Sequence, residues 1–316
     1  MSTQQEPKPT SDASKPSSEP TVSVVMPIGR VDDDLPFQLE ALGGQSYTGP
    51  WELVLSLNSD DPAQRRALEG SVERLTTTAD SPSVADRPGE NGAIALDRVT
   101  VKIVDSSAMR SASHARNVGA AEASGELLLF CDGDDIADLD WMTAMISALG
   151  EARVVGGFLE EELLAVPGQE GWRPPATPGA LPAFLGFPYL VSANMGIHRS
   201  DFEAVGGFDT SLIRGEDIAF SWDLIERGLE LAYAPDAVMH YRHRQGMWPM
   251  MKQHYLYGRG FSQILARRGT PGSSEGATGL KALKPNNQSV DAMSLAYFAR
   301  RGSIAAGRVV GLVKER

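Results

Sequence analysis

Four short apolar runs set the limits on what this chain can fold into: TVSVVMPI (21–28), WELVLSLN (51–58), VTVKIVD (99–105) and ELLLFCD (126–132). Each is dense in β-branched or large aliphatic residues, which suits strands buried on both faces better than strands with one wet side. Helical patterns separate them at roughly 62–76 and 111–124. Asp32, Asp33 and Asp34 stand where they can cap a helix after the first run, with Pro36 in its first turn. Strands that alternate with helices join through right-handed crossovers, so the expected fold is α/β, with a Rossmann-like, mostly parallel central sheet flanked by helices.

After about residue 150 the alternation loosens. A Pro- and Gly-rich loop (165–188) precedes an expected strand, YLVSANMGI (189–197), then GGFD (206–209), a helix over about 216–228, and strands near 229–234 and 237–242. Helices are expected over 245–268 and part of 288–314. Residues 1–20 contain no Val, Ile, Leu or aromatic residue, and nothing there offsets ordering entropy, so a disordered tail is expected. The stretch 79–98 reads as a mobile insertion.

Charge and cysteine content exclude several function classes. The 316 residues carry a formal charge of −12, which argues against a surface built to grip nucleic acid. The balance is uneven. From Lys252 onward there are 11 Lys/Arg against Glu275, Asp291 and Glu315, a net of +8 beside −20 for the rest. One cysteine, Cys131, rules out an internal disulfide framework and a cysteine-based metal site, and suits a reducing, cytoplasmic setting. The N-terminus has no apolar stretch of the signal-peptide kind. The uncharged run from Pro174 to His198 is interrupted by five prolines and cannot be a continuous membrane helix. The basic C-terminal region interleaves Ile304, Val309, Val310, Leu312 and Val313 with Arg308, Lys314 and Arg316. Two readings stay open for it: contact with the inner face of an anionic membrane, or packing on the protein itself or a second subunit.

Chemistry concentrates at four places. DGDD (Asp132 to Asp135) follows the most buried-looking strand, and ligands of open α/β sheets bind at the carboxyl ends of strands. Its three carboxylates repel one another unless a cation compensates, and hard divalent ions are held by such oxygens. The bland alternative is a solvated turn capping the next helix. An EF-hand fails at Ile136, Ala137 and Thr143, and neither a P-loop nor GxGxxG follows the first strand. Glu216-Asp217 opens a helix, where backbone N–H groups favour an anion. It reads either as ordinary N-terminal charge or as a general base. SASHARNVG (111–119) sets Arg116 and Asn117 at the carboxyl edge of the sheet, with Gly119 allowing close packing. HYRHR (240–244) ends a strand with two histidines and two arginines.

Taken in order, VSVVMP, HARNVG, LLLFCDGDD, GGFD, GEDIAFSWDL and VMHYRHR resemble glycosyltransferase family 2 over roughly residues 21–245. The resemblance implies a GT-A fold with a nucleotide-binding half (21–135), a mixed acceptor-side half (136–245) and a basic helical C-terminal region (246–316). It implies a metal-dependent, inverting transfer of a sugar from a UDP-, GDP- or dTDP-sugar to a hydroxyl acceptor on a glycan, lipid-linked, cell-envelope or secondary-metabolite molecule. By the same resemblance Asp132, Asp134 and His240 hold Mg²⁺ or Mn²⁺, and Asp217 is the base. Glu216 and Trp222 lie on the acceptor side, and Pro27, Gly29, Arg30, Asn58, Arg116, Asn117, Asp132 and Gly133 meet the nucleotide sugar. The chain departs from the family at Leu57, where an acid usually reads the base and Asn58 or Asp60 is left to substitute. It departs again at Gly29-Arg30, in place of an aromatic-Asn pair, and at Asp223, in place of Arg. Two other classes compete: aspartate-based phosphoryl transfer, against which Ile136 stands where Thr is wanted, and a catalytically silent member that binds a glycan or partner.

Overall fold

The computed structural model describes residues 21–78, 99–169, 172, 179–272 and 295–314. The expected tail (1–20), the insertion (79–98) and part of the Pro-rich loop lie outside the described residues.

The four apolar runs form β1 (Val22–Ile28), β2 (Trp51–Leu57), β3 (Val99–Asp105) and β4 (Leu127–Cys131), which pair in parallel in the order β3-β2-β1-β4. β2 and β4 are buried at every position, as sequences without a polar face require. Helices α1 (Leu35–Gly43), α2 (Pro62–Thr78) and α3 (Ala112–Glu122) make the crossovers. α3 lies close on the sheet because Gly119 has no side chain: a Cβ there would sit 2.6 Å from Cγ1 of Val25. Buried Glu52 ties three strands to the end of α3. It accepts hydrogen bonds from Ser23 Oγ (2.5 Å) and Ser124 Oγ (2.8 Å) and pairs with Lys102 Nζ at 2.7 Å.

Beyond β4 come β5 (Ile136–Ala137), α4 (Trp141–Glu151), β6 (Val154–Glu160), the hairpin of β7 (Ala183–Phe184) and β8 (Phe187–Pro188), β9 (Asn194–His198), α5 (Arg199–Val205), α6 (Glu216–Glu226) and β10 (Ala232–His240). They extend the sheet as β4-β9-β6-β10-β5, with β9 antiparallel to both of its neighbours and β10 parallel to β6. Three details differ from expectation. β6 is a strand that the sequence pattern did not announce. The strand expected over 189–197 begins only at Asn194. The two strands expected near 229–242 are one, β10, with an irregular register between Ala234 and Val238 that accommodates Pro235.

Two long helices follow, α7 (Met247–Arg268) and α8 (Leu295–Lys314). They run side by side in the same direction, with His254 meeting Arg300 and Ser262 meeting Arg308. Their backbones nearly touch. A Cβ at Gly258 would lie 2.1 Å from the Ile304 carbonyl oxygen, and one at Gly307 would lie 2.0 Å from that of Tyr255. The small residues that permit this recur four apart, as Gly258 and Ser262 on α7 and Gly307 and Gly311 on α8. Arg308 turns inward over the Phe261 ring (5.5 Å to the centroid), and burial lowers its basicity. The inner face of α8 is therefore packed on the protein, while Val309 and Val313 stay exposed. Among the described residues no helix is long and apolar enough to cross a membrane.

Candidate active site

The carboxyl ends of β1, β2 and β4 open onto a cleft of about 660 Å³. Pro27, Gly29 and Arg30 line it from the end of β1, Asn58 from β2, Arg116 from α3, and Asp132, Gly133 and Asp134 from the turn after β4. The chain just past β10 closes the far side with Arg242, His243 and Arg244.

Asp132, Asp134 and Asp135 bring one carboxylate oxygen each to within 4.8 Å of one another. Asp135 is fully buried. Its Oδ1 accepts from the Arg242 backbone N–H at 2.8 Å, and its Oδ2 is buried with no hydrogen-bond partner among the described residues. Loss of water and then the Asp132 charge push the Asp134 carboxyl up to about 6, and the same causes with Asp134 added raise Asp135 well above the carboxylate range. Burial and mutual repulsion thus favour the protonated forms of Asp134 and Asp135. Three hard oxygens and one orphaned buried lone-pair site fit a divalent ion such as Mg²⁺ or Mn²⁺.

Arg116, 3% exposed, is the cation nearest this cluster within the protein. One end of its guanidinium meets Asp132 Oδ1 at 2.5 Å and the other meets Glu216 Oε1 at 3.4 Å. Glu216 and Asp217 begin α6 just after Gly215, whose φ of +85° is the left-handed region that glycine enters without strain. Asp217 Oδ1 accepts from the Ile218 N–H at 2.9 Å. Burial, and next the Glu216 charge, push Asp217 up to about 7. Burial and then the Asp217 charge raise the hydroxyls of Tyr189 and Tyr257. A carboxylate titrating near neutrality is suited to taking a proton from a hydroxyl.

Trp222 does not face the cleft. It is 2% exposed beneath the β7–β8 hairpin, stacked on Phe184 at 5.8 Å and edge-on to Phe187 at 5.8 Å. Phe184 stacks in turn on Phe261 of α7 at 4.6 Å. α7 also holds the turn that carries the acidic pair: Gln263 accepts the Ile213 N–H at 3.0 Å, and a Cβ at Gly260 would meet the Arg214 carbonyl oxygen. Arg268 pairs with Asp209 of GGFD at 3.2 Å and with Asp223, so the acid at that unusual position has its cation supplied by α7.

Three residues expected at the nucleotide or metal also have partners within the protein. Asn58 stands in the cleft wall, but its amide donates to the carbonyls of Ser106 and Met109 (2.7 Å to the latter) and accepts from Ser111 N–H at 2.9 Å, pinning the 106–111 loop. Asn117 exchanges both amide groups with the backbone of Phe208, at 2.8 and 2.9 Å, and thereby fixes the GGFD turn. His240 is not brought into the aspartate cluster. Its Nδ1 meets Glu160 Oε2 at 2.8 Å and its Nε2 lies 3.6 Å from Asp138 Oδ2. The third acidic member is Asp135, and the strand-end motif acts through Arg242 instead: its N–H reaches Asp135, and its Nε donates to the Asp134 carbonyl at 3.0 Å. DGDD and HYRHR carried that information as motifs; which member faces the cleft is decided by where β4 and β10 end. Tyr189, Tyr257 and Gln263 left no local signal.

Residues 93–206 match the model of the family described as glycosyl transferase family 2. Pre-mycofactocin glycosyltransferase of Mycobacterium tuberculosis is 26% identical over 166 residues, 48% of this chain and 34% of that protein, so the match spans about a third of the curated relative. Among solved structures, the mannosyltransferase PcManGT from Pyrobaculum calidifontis in complex with GDP-Man and Mn²⁺ has a TM-score of 0.59 at 16% identity, over 98% of this chain and 76% of that one. S. aureus TarS 1-349 in complex with UDP has a TM-score of 0.50 at 16% identity, over 78% and 70%. The architecture is thus the GT-A fold, and residues 93–206, which include Arg116 and the three aspartates, are similar to glycosyl transferase family 2.

Proposed function

We propose that the protein transfers a sugar from a nucleotide-sugar donor to an acceptor hydroxyl, with inversion, using a divalent cation held by Asp132, Asp134 and Asp135. The observation that carries this reading is the three-aspartate cluster with the unpartnered, buried Oδ2 of Asp135, joined through Arg116 to Glu216 of an acidic pair at a helix start. When bound, the cation supplies charge that neutralises the donor's diphosphate as it departs. The remaining work falls to the chain. Pro27, Gly29 and Arg30 shape the nucleotide end of the cleft, and Arg242 and Arg244 set positive charge on the opposite rim. Asp217 takes the proton from the acceptor oxygen, and Glu216 beside it keeps that carboxylate basic.

Donors of the GDP-mannose or UDP-sugar kind are the first to test, because structures that share this fold hold GDP-Man and UDP. The acceptor is a hydroxyl on a glycan or on a lipid-linked or cell-envelope molecule. A thermal-shift screen of UDP-, GDP- and dTDP-sugars with Mn²⁺ tests the reading, since a ligand specific to the folded state raises the apparent melting temperature. At least one donor should stabilise the protein in Mn²⁺ and fail to do so in EDTA. Shifts identical in EDTA would contradict the metal requirement.

A further inference from the structure

Arg116 makes an arrangement that neither nucleotide binding nor base catalysis requires. It is nine-tenths buried or more, lies 5.9 Å from the Phe208 ring centroid, and leaves its Nε without a partner among the described residues. Its two terminal nitrogens join Asp132, a residue of the aspartate cluster, to Glu216, 100 residues further along and next to the base. A single cation is thus shared between the aspartate cluster and the Glu216-Asp217 pair. Asp132 Oδ1 cannot give the same lone pair fully to a guanidinium at 2.5 Å and to a divalent ion.

We propose that Arg116 is a positioning residue that holds Asp132 and Glu216 together and competes with the divalent ion for Asp132. Occupation of the aspartate cluster then frees the guanidinium for Glu216, so that donor-side occupancy and the placement of the Glu216-Asp217 pair are thermodynamically linked. Linkage of this kind is reciprocal: whatever alters the Glu216 partner alters cation affinity. The proposal rests on the metal reading above, and its test separates the two.

The full chain is titrated with Mn²⁺ alone, at pH 8 and without oxygen, reading free Mn²⁺ by electron paramagnetic resonance. Arg116→Gln should bind Mn²⁺ about tenfold more tightly or better, because a competing positive charge is gone. Glu216→Gln should bind it more weakly than Asp217→Asn does. Both remove one negative charge at the start of α6, but only Glu216 shares the guanidinium. Affinity unchanged or weakened in a folded Arg116→Gln protein overturns the proposal, as does equal weakening by the two α6 variants. Where Arg116→Gln does not fold, the α6 pair decides alone. Mn²⁺ binding that is lost in Asp134→Asn but indifferent to Arg116 and Glu216 overturns this proposal and leaves the metal reading standing. No Mn²⁺ binding by the unaltered protein overturns both.

Discussion

Replacing Asp217 by Asn should move rate and stability in opposite directions. In the folded protein burial and the Glu216 charge hold this carboxyl at about 7, well above the usual carboxylate range. Roughly three units of displacement correspond to about 4 kcal/mol of penalty on the ionised form, an upper bound that solvent screening at this partly exposed group reduces to about 1–2 kcal/mol. The sign follows from proton linkage. The folded state holds the proton more tightly, so stability declines as pH rises from about 4 toward 7, and the full penalty is present above 7. Asparagine cannot ionise. At pH 8 Asp217→Asn should therefore melt a few degrees higher than the unaltered protein, and at pH 5 the gain should shrink toward zero. Transfer should fall by about two orders of magnitude or more at pH 8, the contribution typical of a positioned base, and the gap should narrow in acid as the parental carboxylate takes up its proton. The unaltered rate should rise with pH up to about 7 and then level. Differential scanning calorimetry at the two pH values, paired with nucleoside diphosphate release, reads both effects. Normal turnover by Asp217→Asn, or a melting temperature lowered at pH 8, would refute the assignment.

Further outcomes follow from other parts of the structure. Glu52→Gln should cost about 3 kcal/mol near pH 7, because Lys102, Ser23 and Ser124 outweigh the cost of burial and hold the Glu52 carboxyl at about 2. That advantage exists above about 4.5 and is lost as pH falls toward 2, so urea midpoints of variant and parent should converge in acid. Gly307→Ala should destabilise by about 1–3 kcal/mol, since its Cβ would drive into the Tyr255 carbonyl. Gly302→Ala on the same helix meets nothing within 4 Å and should stabilise by about 0.5–1 kcal/mol, and thermal melts of the pair test the α7–α8 seam. Gln263→Ala should lower kcat while leaving donor-induced thermal shifts in place, because it releases the Ile213–Gly215 turn before the base without touching the donor cleft.

The parallel half of the fold was readable because β1, β2 and β4 are buried on both faces, and such strands announce themselves by composition alone. β6 was hidden by Gly156 and Gly157, which lower the strand signal for a reason outside the segment: a Cβ at Gly157 would meet the Ala237 carbonyl of the neighbouring strand at 2.3 Å. The antiparallel course of β9 has no local signature, because direction is set by the partners it finds. The site divides in the same way. DGDD and the Glu216-Asp217 pair are local strings and were legible. Arg116 was legible as a charged residue at the sheet edge, but its partners lie 16 and 100 residues away. Asn58, Asn117 and His240 have the polar chemistry of ligand contacts, and their sequence neighbourhood gives no sign of the backbone groups and side chains that they hold within the protein. The basic C-terminal half offered two readings from charge pattern alone. Burial of Arg308, Gly307 and Gly311 against α7 shows which face of α8 is packed.

The most direct measurement is nucleoside diphosphate release from a panel of nucleotide sugars by the unaltered protein and by Asp134→Asn, each with Mn²⁺ and with EDTA. Even without its acceptor, a transferase of this kind should hydrolyse its donor slowly. The account predicts release from at least one donor in Mn²⁺, none above background in EDTA, and none from Asp134→Asn under either condition. Release by Asp134→Asn at the parental rate, or release in EDTA equal to that in Mn²⁺, would contradict it.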